Sequence, residues 1–508
     1  MISVAVNGAT YYVSTTGNDG NPGNINNPWK TWQKGFETIV AGDILYIRGG
    51  TYLPTGTFGR NTYSGVFINN KDGLDGNPIR VFAYPGETPV LDCRNLTQVS
   101  SHMGIYLYGC DFWHLKGLTV TRADQSVHNG TTYYGAGGIY VITCNNVTVE
   151  RCVAHHNGGG GISANFECNN TLFLNCDSYG NADPNSALPY DHADGFGMEE
   201  AASGLNNTIR GCRSWFNSDD GYDMFDNNGN VTIDSCWAWG NGYLYQTTTH
   251  AGNGQGIKLG RTDDNSYDFR RSITNCLTFY NYSTGIIQNA ANVKMYIYNN
   301  TSYHNNNIGI ELYSYDLPHI IRNNISFLNT NTNYNGVVSA ATVTNNTNGG
   351  WQPTGTVVTA ADFMSLDTTG VSGPRQANGT LPILNFLRLD SASNLIDKGF
   401  NIGKPFYGTA PDIGAYEYTP FPVSAKLLLA PNKNVNVYPN PVSDELIIKI
   451  EDNIVVLNFE IINSLGKVIY KGELLEKIFI QTKDFVPGIY TIKIENGNSF
   501  IVKKFIKL

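Results

Sequence analysis

The chain has 508 residues, which is enough for two to four domains of roughly 100–200 residues each. Only 15% of the residues are charged, against roughly 25% in an average soluble protein, while 12% are aromatic and 55 are glycine. This composition excludes a coiled coil and a highly charged disordered chain, and it favours an all-β protein rich in turns. The net charge of −9 argues against nucleic acid as a partner and would repel an acidic ligand unless a cation intervenes.

The first 60 residues predict a strand, a short helix over about residues 31–40 and a second strand. No basic stretch followed by an apolar core comes after Met1, so no signal peptide is predicted in this sequence. We expect the helix to cap the open end of the repeat that follows, since the end coil of a stacked fold exposes an unpaired edge.

An internal repeat, clearest over residues 110–330, is the most informative feature of the chain. Its anchors are Cys152, Cys176, Cys212, Cys236, Cys276, Asn300 and Asn324. Three positions after each anchor stands a ring: His155, Tyr179, Trp215, Trp239, Phe279, Tyr303 and Phe327. Five positions after each anchor stands an asparagine: Asn157, Asn181, Asn217, Asn241, Asn281, Asn305 and Asn329.

Alternating β-type segments before each anchor make each repeat one coil of a parallel β-helix, with coils about 4.8 Å apart. Like residues then lie above like residues. We predict a ladder of hydrogen-bonded asparagine amides, an aromatic column stacked inside the solenoid, and cysteines that act as small buried hydrophobes. Disulfides are the alternative interpretation of the cysteines.

A glycine column follows the asparagines. Gly161, Gly221, Gly285 and Gly309 come nine residues after their anchors, whereas Gly195 and Gly256 come 19 and 20 residues after theirs. Two coils therefore carry inserted loops, ADPNSALPYDHAD and GYLYQTTTHAGNG. Loops inserted at one place on a solenoid usually build the walls of a binding face.

Carboxylates collect beside these glycines. Asp194 and Asp220 precede the glycine on adjacent coils, while Asp223 and Lys258 follow it by two on adjacent coils, and Asp219 adjoins Asp220. Four carboxylates this close repel one another unless a cation neutralises them, and Ca²⁺ takes six to eight oxygen ligands. A divalent ion nearby would lower the pKa of Lys258 and allow it to act as a general base.

A structural interpretation of these residues stays open. Asp-Gly is a routine turn pair, and a purely structural calcium site would have Lys258 as its counter-ion. Weaker candidates for substrate contact are Arg261, three residues after Lys258, His192 in the first inserted loop, and Tyr243 and Tyr245 in the second.

Together these residues resemble family nine of the polysaccharide lyases, right-handed parallel β-helix enzymes that act on pectic polymers. The resemblance spans roughly residues 10–420. Its motif consists of one aspartate, here Asp194, an Asp-Asp-x-x-Asp cluster that begins 25 residues later at Asp219, and a lysine 35 residues after the end of that cluster, here Lys258. It implies a calcium-dependent lyase in which Asp194, Asp219, Asp220 and Asp223 bind Ca²⁺. Lys258 would then cleave polygalacturonate by β-elimination.

Three alternatives to a pectate lyase remain: a rhamnogalacturonan lyase with the same site, a polygalacturonase-type hydrolase with paired carboxylates, and a non-catalytic glycan-binding surface solenoid. In each case the partner is an acidic plant cell-wall polysaccharide, and the protein is expected to be a monomer.

The composition changes after Pro420. Residues 432–508 contain ten lysines, nine acidic residues, no arginine and no cysteine, and their short strands predict a small β-sandwich. The pieces VYPNP, SLGKVIY, PGIYTIKI and KKFIKL resemble the C-terminal sorting domain of type IX secretion in Bacteroidota. A generic carbohydrate-binding or spacer sandwich is the alternative.

The predicted organisation is therefore a catalytic β-helix over residues 1–420, a linker over 421–431 and a sorting domain over 432–508. It implies the type IX secretion machinery as a partner and a secreted or cell-surface location.

Overall fold

The computed structural model describes residues 8–96, 101–124, 136–262, 268–420, 435–450, 457–463, 467–474, 477–496 and 499–508. The chain divides into two compact units, Met1–Thr368 with Asn385–Tyr418, and Thr369–Leu384 with Thr419–Leu508. The predicted linker, residues 421–431, lies outside the described residues, and the predicted domain boundaries stay a proposal. No helix in the described ranges is long and apolar enough to cross a membrane.

Three long sheets wind through the first unit. Sheet 1 consists of Thr10–Val13, Ile44–Ile47, Ile79–Ala83, Trp113–Lys116, Thr148–Glu150, Leu172–Leu174, Asn207–Arg210, Val231–Asp234, Phe269–Thr274, Lys294–Tyr298, Ile320–Arg322 and Thr342–Thr344. Sheet 2 consists of Thr57–Gly59, Thr62–Asn69, Ser101–Tyr108, Gly137–Ile142, Gly160–Asn165, Phe196–Glu199, Tyr222–Asp223, Ile257–Lys258, Ile286–Ile287, Ile308–Leu312 and Thr332–Gly336. Sheet 3 consists of Gly50–Tyr52, Pro89–Asp92, Thr119–Thr121, Val153–His155, Asp177–Tyr179, Arg213–Trp215, Trp237–Trp239, Leu277–Phe279, Thr301–Tyr303 and Ile325–Phe327.

Successive strands within each sheet are parallel, apart from the antiparallel pair Thr57–Gly59 and Thr62–Asn69. Side chains of a strand alternate between its two faces, so every second residue points into the solenoid. In sheet 2 the inward row includes Ile162, Phe196, Tyr222 and Ile257, which are fully buried in one continuous core. The predicted all-β parallel β-helix is confirmed.

The predicted asparagine ladder is present. From Asn157 to Asn305, each side-chain amide donates a hydrogen bond to the Oδ1 of the asparagine on the next coil at 2.8–3.0 Å. The same oxygen also accepts from the backbone N–H of the preceding rung, as Asn217 Oδ1 does from Asn181. Buried amides that would otherwise be costly are therefore paired from coil to coil.

All nine cysteines are free and buried. Burial raises the pKa of most of their thiols, for example that of Cys152 to about 12. The interpretation of the cysteines as small buried hydrophobes is confirmed, and the disulfide alternative is wrong.

The aromatic column stacks, but on the outer face of sheet 3, so the prediction that it lies inside is wrong. Tyr179, Trp215, Trp239 and Phe279 are stacked with ring centroids 4.3–5.5 Å apart. The residue before each ring, such as Ala238, points into the core instead. The rings are nonetheless covered, because residues 385–418 return across this sheet and Phe386 packs on Phe279.

The helix Trp32–Thr38 begins after Thr31, whose side chain accepts a hydrogen bond from the backbone N–H of Lys34. Trp32, Gly35 and Phe36 form its buried face. The side chain of Gln33 donates to the carbonyl of Phe67 and accepts from its backbone N–H, at 2.9 and 2.8 Å. The helix therefore covers backbone groups of sheet 2 at the N-terminal end of the solenoid, as predicted.

The sequence predicts that the repeat is lost from about residue 330, but this boundary is too early, because Thr332–Gly336 and Thr342–Thr344 still pair in parallel with the sheets of the solenoid. The described residues 345–420 include a short 3₁₀ helix, Ala360–Asp362, and another lies near the N-terminal end at Cys93–Asn95. The segment APDIGAYEY, residues 410–418, packs on the late coils of the solenoid, where the Ala415 N–H donates to Thr301 Oγ1 at 3.0 Å.

The C-terminal part of the chain contains two antiparallel sheets. One consists of Val435–Tyr438, Glu445–Ile450 and Lys477–Gln481, and the other of Val468–Leu474, Leu457–Ile462, Gly488–Asn496 and Ser499–Lys507. Buried residues of both sheets, such as Ile448 and Ile461, form one core separate from that of the solenoid. This arrangement confirms the predicted small β-sandwich.

Candidate functional site

The predicted site residues meet on the outer face of sheet 2, on the strands Phe196–Glu199, Tyr222–Asp223 and Ile257–Lys258. Gly197 pairs with Asp223, and Asp223 pairs with Lys258. Side chains that alternate with the inward residues Tyr222 and Ile257 must point outward, so Asp223 and Lys258 stand side by side on one wall. The columns inferred from the sequence thus correspond to strand register in the structure.

Lys258 lies between two of the carboxylates. Its Nζ is 2.8 Å from Asp223 Oδ2 and 3.0 Å from Asp220 Oδ2. The lysine side chain is 13% exposed and both aspartates are buried, so these ion pairs are largely shielded from water. The ring of Phe225 also faces the ammonium group, 5.6 Å from its centroid.

Backbone N–H groups hold the other carboxylates in place. Asp194 Oδ1 accepts from the Asp220 N–H at 2.9 Å, and Asp220 Oδ1 accepts from the Gln255 N–H at 2.6 Å. Asp219 Oδ1 accepts from the Asn253 N–H at 2.8 Å. Carboxylate oxygens of Asp194, Asp219 and Asp220 all lie within 4.8 Å of one another, which is close enough to share one cation.

The crowding of negative charge is visible in the pKa values. Burial, followed by the charges of the neighbouring carboxylates, raises the pKa of Asp194 and Asp219 well above the usual range. Burial raises the pKa of Asp220 to about 6, although the charge of Lys258 opposes the rise. These carboxylates need more positive charge than one lysine supplies.

Lys258 responds in the opposite direction. Burial lowers its pKa, but the charges of Asp220, Asp223, Asp219 and Asp194 outweigh burial and raise the pKa well above its ordinary value. The sequence predicts a lowered pKa for Lys258 when a divalent ion is bound beside it. That expectation therefore stays a prediction.

Glu199 is a further carboxylate of the site that the sequence columns do not reveal. Its carboxylate lies within 4.8 Å of those of Asp194 and Asp223, and burial together with the charge of Asp223 raises its pKa well above the usual range. Alternation along Phe196–Glu199 could have found it, because Glu199 follows Gly197 by two residues and so shares its outward face.

The two inserted loops meet beside this cluster. Asn253 Nδ2, in the second loop, donates to Asp191 Oδ1, in the first, at 2.6 Å. Together with sheet 2 the loops enclose a cleft of about 720 Å³, lined among others by Asp194, Asp223 and Lys258. The prediction that the loops wall a binding face agrees with this geometry.

The weaker candidates for substrate contact do not lie together in the structure. His192 lines the cleft, with its Nδ1 3.5 Å from Asp183 Oδ2. The guanidinium of Arg261 donates two hydrogen bonds to the carboxylate of Asp226, and Arg261 does not line the cleft. Tyr243 packs edge-on against Tyr282, outside the cleft lining.

Tyr245 packs edge-on against His156 and also contacts Tyr179 of the outer aromatic column, so the structure does not place it at the cleft.

Residues 11–346 match the model of the Pel9A-like, right-handed β-helix region. The chain belongs to this family of polysaccharide lyases. Residues 436–508 match the model of the secretion system C-terminal sorting domain. The lyase therefore consists of a β-helix followed by a sorting domain of the type IX kind, as predicted.

Two related proteins are similar in sequence to more than half of this chain. The lyase is 35% identical over 413 residues to pectate lyase L of Dickeya dadantii (strain 3937), covering 80% of this chain and 90% of that protein. It is 30% identical over 326 residues to pectate lyase PEL9 of Emericella nidulans, covering 59% of this chain and 74% of that protein.

Two solved structures resemble the lyase with a TM-score of 0.66. One is the crystal structure of pectate lyase Pel9A, at 32% identity over 82% of this chain and 97% of that chain. The other is a rhamnogalacturonan lyase, at 26% identity over 76% and 97% of the two chains. Membership of a lyase family sets aside the hydrolase and the non-catalytic solenoid.

Proposed function

We propose that the lyase cleaves α-1,4-galacturonan in pectate by β-elimination, giving unsaturated oligogalacturonides, with Lys258 as the base. The observation that carries the proposal is the amine of Lys258, which lines the cleft and is held 2.8 and 3.0 Å from two of the four clustered aspartates. Its relatives in Dickeya and Emericella carry the name pectate lyase, which supports this choice of substrate.

The residues present fit Ca²⁺. The Oδ1 of Asp223 is buried and receives no hydrogen bond from any residue that the structure describes. The raised pKa values of Asp194, Asp219 and Asp220 indicate uncompensated negative charge around it. An all-oxygen, acidic donor set of this kind suits Ca²⁺ better than zinc or copper, so these four aspartates would hold the ion.

When bound, Ca²⁺ would neutralise carboxylates of the protein and of the substrate, and so stabilise the negative charge that develops at carbon 5. The proton on carbon 5 is weakly acidic because it is alpha to the carbon 6 carboxylate. Lys258 Nζ takes this proton, a double bond forms between carbons 4 and 5, and the glycosidic oxygen leaves carbon 4 with the bonding electrons. No water is added.

Lys258 must be neutral before it can accept the proton. Its raised pKa arises from the charges of Asp220, Asp223, Asp219 and Asp194, so reducing those charges lowers the pKa toward the range of a useful base. The aspartates thus have two roles in the proposal: they bind the cation, and they keep the amine oriented toward the cleft.

Lys258→Ala tests the proposed base. The variant should bind polygalacturonate as the parent does but lose about 10²–10⁴-fold in kcat, which is the contribution that general-base catalysis typically makes. Product is followed by the ultraviolet absorbance of the unsaturated uronide. Lys404→Ala, an exposed lysine outside the cleft, is the control, and full activity in Lys258→Ala would exclude the mechanism.

Chelation tests the proposed cation. Excess EDTA should abolish formation of the unsaturated product, and added Ca²⁺ should restore it. Because a ligand that binds only the folded state stabilises it, Ca²⁺ at 100 times its Kd should stabilise the protein by about 2.7 kcal/mol, measurable as a higher Tm. If neither EDTA nor Ca²⁺ changed the activity or the Tm, the proposed calcium site would be wrong.

A rhamnogalacturonan lyase is the second candidate, favoured by the solved structure of that name at 26% identity. The same base and cation would serve, because galacturonate alternates with a neutral sugar in that backbone. Product profiles on homogalacturonan and rhamnogalacturonan, measured side by side, distinguish the two candidates.

We also infer that the protein is secreted or displayed at the cell surface. The match of residues 436–508 to a secretion-system sorting domain supports this location and the type IX machinery as a partner.

A further inference from the structure

A second apolar cluster lies outside the solenoid core, on the outer face of sheet 2. Met103, Tyr106 and Ile142 are buried in it, and Phe67 and Tyr140 pack against it partly buried. The rings of Phe67 and Tyr106 are 5.3 Å apart. Met103, Tyr106, Tyr140 and Ile142 line the same cleft as the aspartates and Lys258, so the cluster forms the N-terminal end of that cleft.

Strand register joins this cluster to the proposed base. Phe67 pairs with Tyr106, and Tyr106 pairs with Tyr140. The row then continues from Tyr140 through Ser163 and Gly197 to Asp223 and Lys258. Three strand spacings, about 14 Å, separate Tyr140 from Asp223. A polysaccharide with its reacting sugar at Lys258 and its chain along the solenoid axis therefore passes over these rings.

Two residues complete this end of the cleft. Asn165 is 9% exposed, and its buried Oδ1 accepts no hydrogen bond from the residues that the structure describes, while its Nδ2 is 3.4 Å from Glu199 Oε2. Phe166, the next residue, is 45% exposed at the edge of the cleft. An oriented acceptor beside the exposed ring of Phe166 suits a sugar, which presents hydroxyl donors and an apolar C–H face.

We propose that Tyr106, Tyr140, Phe166 and Asn165 form a pyranose-binding subsite that holds the polysaccharide on the N-terminal side of the sugar that reacts at Lys258. The exposed ring of Phe166 would stack on the C–H face of the sugar, and the more buried Tyr106 and Tyr140 would form the apolar floor of the subsite. Asn165 Oδ1 would accept a hydrogen bond from a hydroxyl group of the sugar. Because none of these four side chains is ionised, binding here does not need the cation. The proposal rests on the proposed function only in that the ligand is a polysaccharide.

Binding of two oligomers to catalytically inactive protein tests the subsite. In a Lys258→Ala background with Ca²⁺, calorimetry compares trigalacturonate, too short to fill the whole cleft, with hexagalacturonate. Phe166→Ala and Tyr106→Leu should each weaken hexagalacturonate binding about tenfold, equivalent to 1.4 kcal/mol, and leave trigalacturonate binding unchanged. Phe166 is exposed, so its substitution leaves the fold intact even if Tyr106→Leu destabilises it.

Tyr280→Ala, an exposed aromatic that does not line the cleft, is the matched control and should bind both oligomers as the parent does. Unchanged hexagalacturonate affinity in Phe166→Ala overturns the subsite, as does a parent that binds both oligomers equally. Failure of the proposed reaction gives a different result, since wild-type protein would then bind hexagalacturonate without forming the unsaturated product.

Discussion

Arg271 is a charged residue in an apolar row. It points into the solenoid from sheet 1, where its neighbours on adjacent strands are Val231 and Met295. Its guanidinium donates to the carbonyls of Asn227, Gly229 and Leu259, the last at 3.0 Å. Since Leu259 follows the proposed base, Arg271 connects sheet 1 to the end of the strand that carries Lys258.

Arg271→Leu should destabilise the protein by about 3 kcal/mol or more, because at least three buried carbonyls lose their donors and each such loss costs about 1–3 kcal/mol. Denaturation in urea measures the change. Arg210→Leu, which removes an exposed ion pair with Asp234, should cost less than about 1 kcal/mol. Equal losses in the two variants would contradict the role assigned to Arg271.

Glu150 predicts a pH dependence of stability. Burial raises its pKa, but hydrogen bonds and charges from His114 and Lys116 outweigh burial and lower the pKa from 4.5 to about 2. A lowered folded-state pKa stabilises the protein above the unfolded value of 4.5, and this stabilisation is lost as the pH falls from 4.5 toward 2. The difference corresponds to about 3 kcal/mol at neutral pH.

Glu150→Gln should therefore lower the free energy of unfolding by up to about 3 kcal/mol at pH 7, with the gap from the parent closing below pH 4.5. Urea titrations at several pH values measure it. Asp75→Asn, at an exposed turn, is the control. A gap that stays constant with pH would show that the pairing with His114 and Lys116 contributes nothing.

The asparagine ladder is the element that ties the coils together. Asn217 Nδ2 donates to Asn241 at 3.0 Å, and its Oδ1 accepts from Asn181 at 2.8 Å. Asn217→Leu leaves unpaired groups on both neighbours and should cost about 3 kcal/mol or more. Asn329→Leu, at the last rung, disturbs one neighbouring rung and should cost less. Equal Tm losses for the two variants would refute this ranking.

Column positions were predictable from the sequence because stacked coils repeat the same backbone, so matching residues must be neighbours. This placed Asp223 beside Lys258 correctly. It could not decide which face Trp215 and Trp239 occupy, because the returning segment around Phe386 buries the outer face as well. Glu199 and Arg271 were missed because each stands alone in its column, and a repeat reveals only what recurs.

At the scale of the whole molecule, the solenoid and the C-terminal sandwich have separate hydrophobic cores. A chain ending at Pro420 should therefore keep the Tm of the solenoid transition within a few degrees, and its specific activity on the polysaccharide should equal that of the full chain. Scanning calorimetry and the absorbance assay check this. A large drop in both would mean that the solenoid depends on the sandwich for its stability.

The paired contacts of Gln33 with Phe67 have a consequence for self-association. A carboxamide side chain offers one donor and one acceptor in nearly the geometry of a peptide group, so it substitutes for an incoming strand. With those two positions on Phe67 already satisfied, a second copy gains nothing by adding its own strand there. At this point of the sheet 2 edge, the side chain of Gln33 thereby opposes the strand addition between molecules that an exposed β-edge invites.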